Sequence, residues 1–525
     1  MCGILAVIGP RAQHYQKNLP GLLNHRGPDD NGIYADKYGV LYHDRLSIVD
    51  LKTGQQPIQG SKQAYLIHNG EIYNHQELRQ TLLKGRSFRT QSDSEVILRL
   101  YETGTPEPLL ELLDGIFAFV ILDGDNCMAA RDPFGVKPLY YGYAADKTLF
   151  FASEMKALAG LCKTFAEFPA GHYYTPQTGV VPYFQIQQLG NYFESPPNIE
   201  QELCNRLTAA VKKRLMADVP IGCLLSGGLD SSIIAAIMRR LRPKDELHTF
   251  SVGISYDAPD IKAAREVATF IGSQHHEVIF DINQAWKDLE QIVWHLESYD
   301  ITNVRSGIPL YYLCRAIAQN GIKVVLSGEG ADEIFGGYRF FHLAPSDQAF
   351  HQELVHKLQG LATIDCLRVD RMSMAHGLEV RIPFLDRAFV KWAMALPPSV
   401  KRPQNNPLEI EKYLLRRAFD DPQSPYLPQS ILWRNKEQFS DGVGYNWREQ
   451  FLALCSAEVP DLVMQGADKN FEVNVPKTKE GMYIRQMFDR LFSSPSAAKC
   501  STLWQLPWIN TFDPSGRESV TLGEL

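Results

Sequence analysis

The sequence predicts a sheet-rich α+β domain followed by an α/β domain with a parallel sheet and a helical carboxyl-terminal part. Three observations support this prediction. The 525 residues exceed what one hydrophobic core usually holds. Short apolar strands separated by Gly, Pro, Asn and Asp fill residues 1–190, whereas strands alternate with helices after residue 200. The region beyond about residue 345 is mainly helical in pattern.

The elements of the first domain follow from short apolar runs and the turn residues that bound them. Predicted strands are Gly3–Ile8, Val40–His43, Tyr65–His68, Ile116–Leu122 and Leu149–Ala152, with a helix over Ser94–Glu102. The stretch Leu189–Ile199 contains Gly190, Asn191, Pro196, Pro197 and Asn198. Because Pro and Gly disfavour the interiors of helices and strands, the linker is predicted at residues 191–200.

The second domain is predicted from alternating strands and helices. Strands are expected at Ile221–Leu225, His248–Ile254, His276–Phe280 and Ile322–Leu326, and helices at Gln201–Lys213, Ser231–Arg240 and Ile261–Ile271. This alternation is typical of βαβ units, which build a parallel sheet with helices on both faces.

Composition excludes several classes of protein. The net charge of −7 argues against a nucleic-acid-binding protein, which would usually show a basic face. No apolar run is long enough to span a bilayer, and the start does not resemble a secretory signal. The nine cysteines are scattered and never form a Cys-x-x-Cys pair. This usage predicts a reduced, cytoplasmic protein.

Cys2 is the first candidate catalytic residue. It follows the initiator Met, whose removal would place a free α-amine beside the thiol. An α-amine titrates at about 8 and a thiol at about 8.5, so the amine could accept the thiol proton and activate the sulfur. Taken alone, however, a Cys at this position favours a small buried residue that opens a strand.

Four further motifs change that interpretation. They are His25-Arg26-Gly27-Pro28-Asp29, Arg45-Leu46-Ser47-Ile48-Val49-Asp50, Asn69-Gly70-Glu71-Ile72-Tyr73-Asn74 and Ser92-Asp93-Ser94-Glu95, in that order. With the opening Cys-Gly-Ile they resemble the class II glutamine amidotransferases, which are N-terminal-nucleophile hydrolases. The resemblance covers residues 1–190 and implies an αββα sandwich that hydrolyses glutamine.

The resemblance also implies roles for individual residues. Cys2 would attack the glutamine amide, while the Asn69 side chain and the Gly70 N–H would donate to the oxyanion. Arg45 would grip the α-carboxylate of glutamine in a bidentate way. The implied glutamine-binding set is Arg45, Asn69, Gly70, Glu71 and Asp93, of which the two acidic members would hold the α-ammonium group.

Three alternatives remain open at these motifs. Asn69-Gly70 is also a common hairpin turn. Arg45 and Asp50 could form a structural ion pair. The segment His25–Asp29 suits a loop that braces the site, and no catalytic role is assigned to it.

A second constellation follows the strand Ile221–Leu225. The segment Ser226-Gly227-Gly228-Leu229-Asp230-Ser231-Ser232 opens a helix, and its glycines let N–H groups turn toward an anion. Asp230 would oppose a bare anion, so it is interpreted as a Mg²⁺ ligand. The segment lacks the Walker A ending and the dinucleotide fingerprint. It resembles the pyrophosphate loop of N-type ATP pyrophosphatases, which implies ATP and Mg²⁺.

Three later motifs extend the resemblance over nearly the whole chain. They span Ser327–Tyr338, Arg371–Asp386 and Lys436–Gly442. Together with the amidotransferase half they are similar to the family of glutamine-hydrolysing asparagine synthetases, the bacterial type most closely. The implied domains are a glutaminase at 1–190, the linker at 191–200 and the synthetase, an ATP-pyrophosphatase-like domain, at 201–525.

This resemblance implies the remaining site residues. The ATP-binding set is Leu224, Ser226, Gly227, Gly228, Asp230, Ser231, Val252, Ser327, Gly328 and Lys436. Asp230 and Asp332 would bind Mg²⁺. Arg305 and Glu329 would lie near the acyl-adenylate, and Glu329 would accept a proton from ammonia. Asp332 could instead begin a solvated acidic helix, and Lys436 could be an ordinary surface lysine.

The implied reaction joins the two halves. Ammonia released from glutamine would pass by an internal route to β-aspartyl-AMP, made from aspartate and ATP, and give asparagine, AMP and pyrophosphate. No nucleic-acid or membrane partner is expected, and a homodimer is one candidate for the oligomeric state, which the sequence leaves open.

The sequence allows three rival functions to be considered. The acceptor could be a peptide or antibiotic precursor instead of aspartate. An amidotransferase acting on a phosphorylated sugar is disfavoured by the pyrophosphate loop. A non-catalytic scaffold is disfavoured by the intact Cys2 and Asp230.

Overall fold

The computed structural model describes residues 2–186, 196–436, 442–444 and 446–508, except the side chains of residues 468 and 469. The strands of the first range are β1 (Gly3–Ile8), β2 (Asp30–Ala35), β3 (Gly39–Arg45), β4 (Ile58–Gln59), β5 (Ala64–Ile72), β6 (Gly115–Asp123), β7 (Asn126–Arg131), β8 (Tyr140–Tyr143), β9 (Leu149–Ala152), β10 (Thr164–Glu167), β11 (His172–Thr175) and β12 (Gly179–Pro182). Its helices are α1 (Ala12–Tyr15), α2 (His75–Gln80), α3 (Glu95–Tyr101), α4 (Pro106–Leu112) and α5 (Lys156–Ala159). Every strand and the helix predicted for this half are present, and β3, β5 and β6 are longer than predicted.

These strands form two antiparallel sheets that pack face to face. Their orders are β10-β8-β9-β1-β3-β2 and β12-β11-β7-β6-β5-β4. Because side chains alternate between the faces of a strand, Ile4 and Ala6 of β1 point between the sheets and share a core with Ile67 and Val120. Helices α3 and α4 cover the outer face of the second sheet, and α1 with helices of the second half covers the first. The predicted αββα sandwich is confirmed.

The remaining ranges contain a second sheet system with many helices. Its strands are β13 (Ile221–Leu224), β14 (His248–Gly253), β15 (Gln274–Ile279), β16 (Val324–Leu326) and β17 (Glu379–Arg381). The helices are α6 (Ile199–Lys213), α7 (Leu229–Leu241), α8 (Pro259–Ile271), α9 (Ile282–Leu296), α10 (Ile301–Gln319), α11 (Ala331–Phe335), α12 (Asp347–Gly360), α13 (Asp365–Met374), α14 (Arg387–Ala395), α15 (Tyr413–Ala418), α16 (Gln429–Leu432), α17 (Trp447–Glu458), α18 (Asp461–Gln465), α19 (Ala467–Asn470), α20 (Lys479–Leu491) and α21 (Pro495–Cys500).

The strands of this second half form one parallel sheet in the order β15-β14-β13-β16-β17. Helices α7 and α8 connect β13, β14 and β15, so the predicted βαβ arrangement is confirmed. Strand β17 was not predicted, because it has only three residues and two of them are charged. Both of those charged side chains are fully buried, which an apolar strand pattern does not signal.

Buried ion pairs join the two halves. The Arg26 guanidinium donates to Glu154 Oε1 at 2.6 Å and to Asp370 Oδ2 at 2.8 Å. Arg371 donates to Glu297 at 2.8 Å, and all five side chains are essentially inaccessible to solvent. A buried charge is tolerated only when it is paired, so these contacts set how the α13 segment sits on the sandwich.

Part of the predicted linker, residues 191–195, lies outside the described residues, and α6 begins at Ile199. The predicted domain limits stay a prediction. Within the described ranges, none of the helices combines the length and the apolar character needed to cross a bilayer.

We expect Asp370→Asn to destabilise the protein by about 3 kcal/mol, because it leaves the buried Arg26 charge without one of its two carboxylate partners. The free energy of unfolding from urea denaturation, followed by tryptophan fluorescence, measures this. The control is Asp257→Asn, which removes an ion pair to Lys262 from a side chain that is 88% exposed and should change little. Equal effects of the two substitutions would contradict a structural role for the buried pair.

Candidate active sites

Cys2 lies just before β1 and is buried against β5. Its main-chain N–H donates to Asn69 Oδ1 at 3.0 Å, and its carbonyl accepts from Arg26 Nε at 3.1 Å. The thiol lies 4.0 Å from the Leu46 carbonyl. Burial raises the pKa of the Cys2 thiol above its ordinary value, so a base close to the sulfur is needed before it can act as a nucleophile near neutral pH.

Asn69 and Gly70 of β5 lie beside this thiol. The Asn69 Oδ1 is used by Cys2, but its buried Nδ2 has no hydrogen-bond partner among the described residues. Gly70 has φ of 143°, and a Cβ built there would lie 2.0 Å from the Ile116 carbonyl oxygen. Both residues lie in a strand paired with β6, so the hairpin-turn alternative is wrong. A free buried amide donor suits an oxyanion.

Arg45 lies at the end of β3 with its charge available. The guanidinium donates to the main-chain carbonyl of Asp50 at 2.6 Å, whereas the Asp50 carboxylate accepts from Thr53 and from the Gln91 N–H. Arg45 pairs with no carboxylate of the described residues. It is therefore not the structural ion pair of the alternative interpretation, and it remains able to bind a carboxylate from a ligand.

Glu71 and Asp93 place two carboxylates close together in a buried setting. Asp93 Oδ2 accepts the Ile72 N–H at 2.7 Å. Burial raises the pKa of Asp93 to about 6, and burial together with the charge of Asp93 raises the pKa of Glu71 well above its ordinary range. Two carboxylates held this close together favour the binding of a further cation, such as an ammonium group.

The second site begins at the carboxyl ends of two adjacent parallel strands. Strand β13 leads into Ser226, whose Oγ lies 3.1 Å from Ser231 Oγ and 3.3 Å from the Gly228 N–H. Strand β16 leads into Ser327 and Gly328. Ligands of open α/β sheets bind beyond these strand ends, as the sequence predicted for both loops.

A cavity of about 180 Å³ lies between the two loops. The predicted residues that line it are Leu224, Ser226, Gly228, Asp230, Ser231, Val252, Ser327, Gly328, Glu329, Asp332 and Lys436. The structure therefore brings together nearly all of the predicted nucleotide-binding and metal-binding residues. Their individual roles stay predictions.

Two predicted residues are not in the cavity wall. Gly227 has φ of 73° and packs against Ala263, where a Cβ would lie 2.5 Å from the Ala263 Cβ. Arg305 lies in α10, is buried, and donates to Glu480 at 2.8 Å. Gly227 lets the loop pack closely against α8, and Arg305 lies outside this cavity.

The charges of the cavity are arranged around two aspartates. Lys412 Nζ lies 2.5 Å from oxygens of both Asp230 and Asp332, and Lys436 Nζ donates to Asp332 at 2.7 Å. Lys436 is therefore not a free surface lysine. Asp332 lies in α11 on the cavity wall, and its neighbour Glu333 is buried, so the solvated-helix alternative is wrong. Residues 437–441 of the Lys436 motif lie outside the described residues.

Glu329 is the carboxylate of this cavity best suited to proton transfer. Burial raises its pKa to about 7, against the opposing charge of Arg368, whose Nη2 lies 3.4 Å away. A carboxylate with a pKa near the working pH can both accept and release a proton.

Sequence reasoning missed three charged residues that shape the sites. Lys412 and Arg368 line the nucleotide cavity, and Arg381 reaches Glu71 at 3.3 Å from the second half. Arg368 is three residues before a motif that was recognised, and Arg381 is inside it. Lys412 precedes α15 in a left-handed conformation, with φ of 57°, and no local pattern marks it.

The fold and these two sites define a class of protein: an N-terminal-nucleophile amidotransferase domain joined to a nucleotide-binding α/β domain. Family comparison agrees with this class. The sequence model described as Glutamine amidotransferase domain matches residues 1–188, and the one described as Asparagine synthase matches 202–349 and 343–513. The chain belongs to the asparagine synthase family.

Curated relatives match along nearly their whole length. The asparagine synthetase [glutamine-hydrolyzing] of Triphysaria versicolor is 43% identical over 555 residues, covering 100% of this chain and 94% of the relative. That of Brassica oleracea is 43% identical, covering 99% and 94%, and asparagine synthetase [glutamine-hydrolyzing] 1 of Arabidopsis thaliana gives the same figures. These relatives are plant proteins, and the bacterial type stays a prediction.

Solved structures resemble the chain only weakly. A glutamine phosphoribosylpyrophosphate amidotransferase from B. subtilis has a TM-score of 0.30 and 20% identity, covering 53% of this chain and 81% of that chain. An NAD+ synthetase from Burkholderia pseudomallei has a TM-score of 0.21 and 14% identity, covering 52% and 95%. Similarities this low support no argument. The strand pairing of the chain itself defines the fold.

We expect Gly70→Ala to lower glutamine hydrolysis at least about 100-fold, because the added methyl would overlap the Ile116 carbonyl and move Asn69, the neighbouring oxyanion donor. Glutamate release is the measurement. The matched control is Gly160→Ala, whose added Cβ meets nothing within 4 Å and should leave the rate unchanged. An active Gly70→Ala would contradict the assignment of this strand to the site.

Proposed function

We propose that this chain makes asparagine from aspartate, using ammonia that Cys2 releases from glutamine and the cleavage of ATP to AMP and pyrophosphate. The main support is that one chain of this family holds both the buried Cys2–Asn69 contact and, separately, a phosphate loop that shares a cavity with two aspartates and Glu329.

In the first half-reaction the Cys2 thiol attacks the side-chain carbonyl carbon of glutamine. The α-amine of Cys2, free once Met is removed, accepts the thiol proton. The oxyanion is stabilised by Asn69 Nδ2 and the Gly70 N–H. The α-amine returns this proton to the departing nitrogen, the C–N bond breaks and ammonia leaves, and water then hydrolyses the thioester to glutamate and the free Cys2 thiol. Arg45 holds the α-carboxylate of the substrate, while Glu71 and Asp93 hold its α-ammonium group.

In the second half-reaction a β-carboxylate oxygen of aspartate attacks the α-phosphorus of ATP, and pyrophosphate leaves. The loop Ser226–Ser231 offers hydroxyls and N–H groups to the phosphates, and Lys436 and Lys412 supply positive charge. Leu224, Val252, Ser327 and Gly328 form the wall beside the nucleoside. Arg305, which lies outside the cavity, is proposed to act on the acyl-adenylate from the α10 side.

Asp230 and Asp332 fit a magnesium ion. A single ammonium, Lys412 Nζ, lies 2.5 Å from both carboxylates, and Asp230 Oδ1 has no hydrogen-bond partner among the described residues. Mg²⁺ prefers such oxygen ligands. When bound there, the ion supplies charge neutralisation for the phosphate groups.

In the last step ammonia attacks the activated β-carbonyl of aspartate, and AMP leaves. The nitrogen must lose a proton, and Glu329 is the proposed acceptor because its pKa is near 7. A product assay with glutamine, aspartate and MgATP, scored for asparagine, AMP and pyrophosphate together, tests the whole proposal. ATP–pyrophosphate exchange that is indifferent to aspartate would favour another carboxylate as acceptor.

The compartment we propose is the cytoplasm. All nine cysteines are free. Several of them are buried thiols, which suits a reducing environment.

We expect Cys2→Ala to abolish asparagine synthesis from glutamine while synthesis from added ammonia persists, because only the first site uses the thiol. Asparagine formation with each nitrogen source is the measurement. Cys162→Ala, at a half-buried cysteine away from both sites, is the control and should leave both activities intact. Loss of both activities in Cys2→Ala, or of neither, would refute the two-site proposal.

We expect ammonia-dependent synthesis to fall as the pH is lowered through about 7, because Glu329 must be ionised to accept a proton. The measurement keeps the concentration of free ammonia constant. Glu329→Gln should lower the rate at least about 100-fold and remove this inflection, while aspartate-dependent ATP–pyrophosphate exchange persists.

The control for Glu329 is Glu246→Gln, whose parent side chain is 71% exposed and remote from the cavity. It should keep the wild-type rate and pH profile. If Glu329→Gln keeps the inflection in the pH profile, the titrating group is a residue other than Glu329.

A further inference from the structure

Strand β17 contacts both sites: its main chain bonds to the loop of the nucleotide cavity, and a side chain reaches the Cys2 site. The Ser327 N–H donates to the Arg381 carbonyl at 2.9 Å, so β17 supports the loop of the nucleotide cavity. The Arg381 side chain points the other way, and its Nη2 lies 3.3 Å from Glu71 Oε1 in the Cys2 site.

The two charged side chains of β17 are rigidly held. Glu379 and Arg381 are fully buried and bond to each other, with Arg381 Nε 2.5 Å from Glu379 Oε1. The Arg381 Nη1 donates to the main-chain carbonyls of Arg214 at 2.8 Å and Met216 at 2.5 Å. Since these bonds fix the guanidinium, its distance to Glu71 is set by the fold of the second domain.

The charges around Glu71 and Asp93 do not balance. Three carboxylates, those of Glu71, Asp93 and Glu379, face one guanidinium, that of Arg381. Arg381, together with the amino-terminal charge and the buried Lys137, overcomes the effect of burial and holds the pKa of Glu379 at about 2, so Glu379 stays ionised. The amino-terminal charge of the chain also lowers the pKa of Glu71.

We propose that Glu379 and Arg381, supplied by the nucleotide-binding half, are positioning residues that set the charge of Glu71 and Asp93 and thereby the recognition of the glutamine α-ammonium group. This inference rests on the proposed role of the Cys2 site as a glutaminase. The excess of carboxylates attracts the ammonium group, and Arg381 limits that excess, which favours the ionised forms of Glu71 and Asp93.

The two residues have effects of opposite sign. Glu379 raises the pKa of both Glu71 and Asp93, and Arg381 lowers both. The α-ammonium group binds the ionised carboxylates, so kcat/KM for glutamine falls as the pH drops through their pKa in the free enzyme. Removing Glu379 should therefore move this acid limb to lower pH, and removing Arg381 should move it to higher pH.

The experiment measures kcat/KM for glutamate release against pH in the full chain. We expect Glu379→Gln to shift the acid limb down, and Arg381→Gln to shift it up, each by about one pH unit. Arg381→Lys, which keeps the charge, should return the limb toward the wild-type position. If Arg381→Gln does not fold, the shift of the acid limb in the nearly isosteric Glu379→Gln is by itself the test of the inference.

The controls separate this inference from the proposed function. Arg265→Gln and Glu277→Gln break an ion pair of 2.7 Å in the same domain, at side chains that do not belong to the Cys2 site, and should leave the acid limb in place. A wild-type protein that releases no glutamate refutes the proposed function. A wild-type protein active through Cys2, with an acid limb that stays fixed or moves the same way in both variants, overturns this inference alone.

Discussion

The geometry of both sites depends on one buried cation, Arg26. Its Nε donates to the carbonyl of Cys2, and its other nitrogens bind Glu154 in the sandwich and Asp370 in α13. A fully buried guanidinium is stable only with all of these partners in place. Because Arg368 of the same helix α13 bonds Glu329, the helix that anchors the thiol also carries a residue of the nucleotide cavity. The two sites are therefore parts of one packed unit.

The nucleotide cavity balances its charge internally. Lys412 lies between Asp230 and Asp332, and Lys436 adds a second ammonium. A polyphosphate would compete with the aspartates for these lysines and leave the carboxylates to a divalent cation. Nucleotide and metal are thus expected to bind together, since either one alone would leave the cavity with unpaired buried charge.

Sequence patterns were sufficient wherever function depends on contiguous motifs. The loop at Ser226, the strand Tyr65–His68 and the parallel sheet all follow from apolar runs and glycine placement, whereas Asn69 and Gly70 were identified by resemblance. Patterns were insufficient for Lys412 and Arg381, because each acts on a partner far away in the chain. Lys412 meets Asp230 across 182 residues, and β17 carries buried charges where a strand pattern expects apolar residues. Arg305 shows the opposite limit: the resemblance implied a role for it near the acyl-adenylate, yet its side chain lies outside the cavity.

The contact between Arg26 and Asp370 joins residues that lie 344 positions apart in the chain, so it forms late during synthesis on the ribosome. A ribosome adding 5–20 residues per second needs roughly 20 to 70 s to cover that distance. During this interval the sandwich has emerged, but the carboxylate that completes the anchoring of Cys2 does not yet exist. The nascent chain is therefore expected to hold its thiol loosely, so that glutamine is not consumed before the domain that uses the nitrogen has been translated.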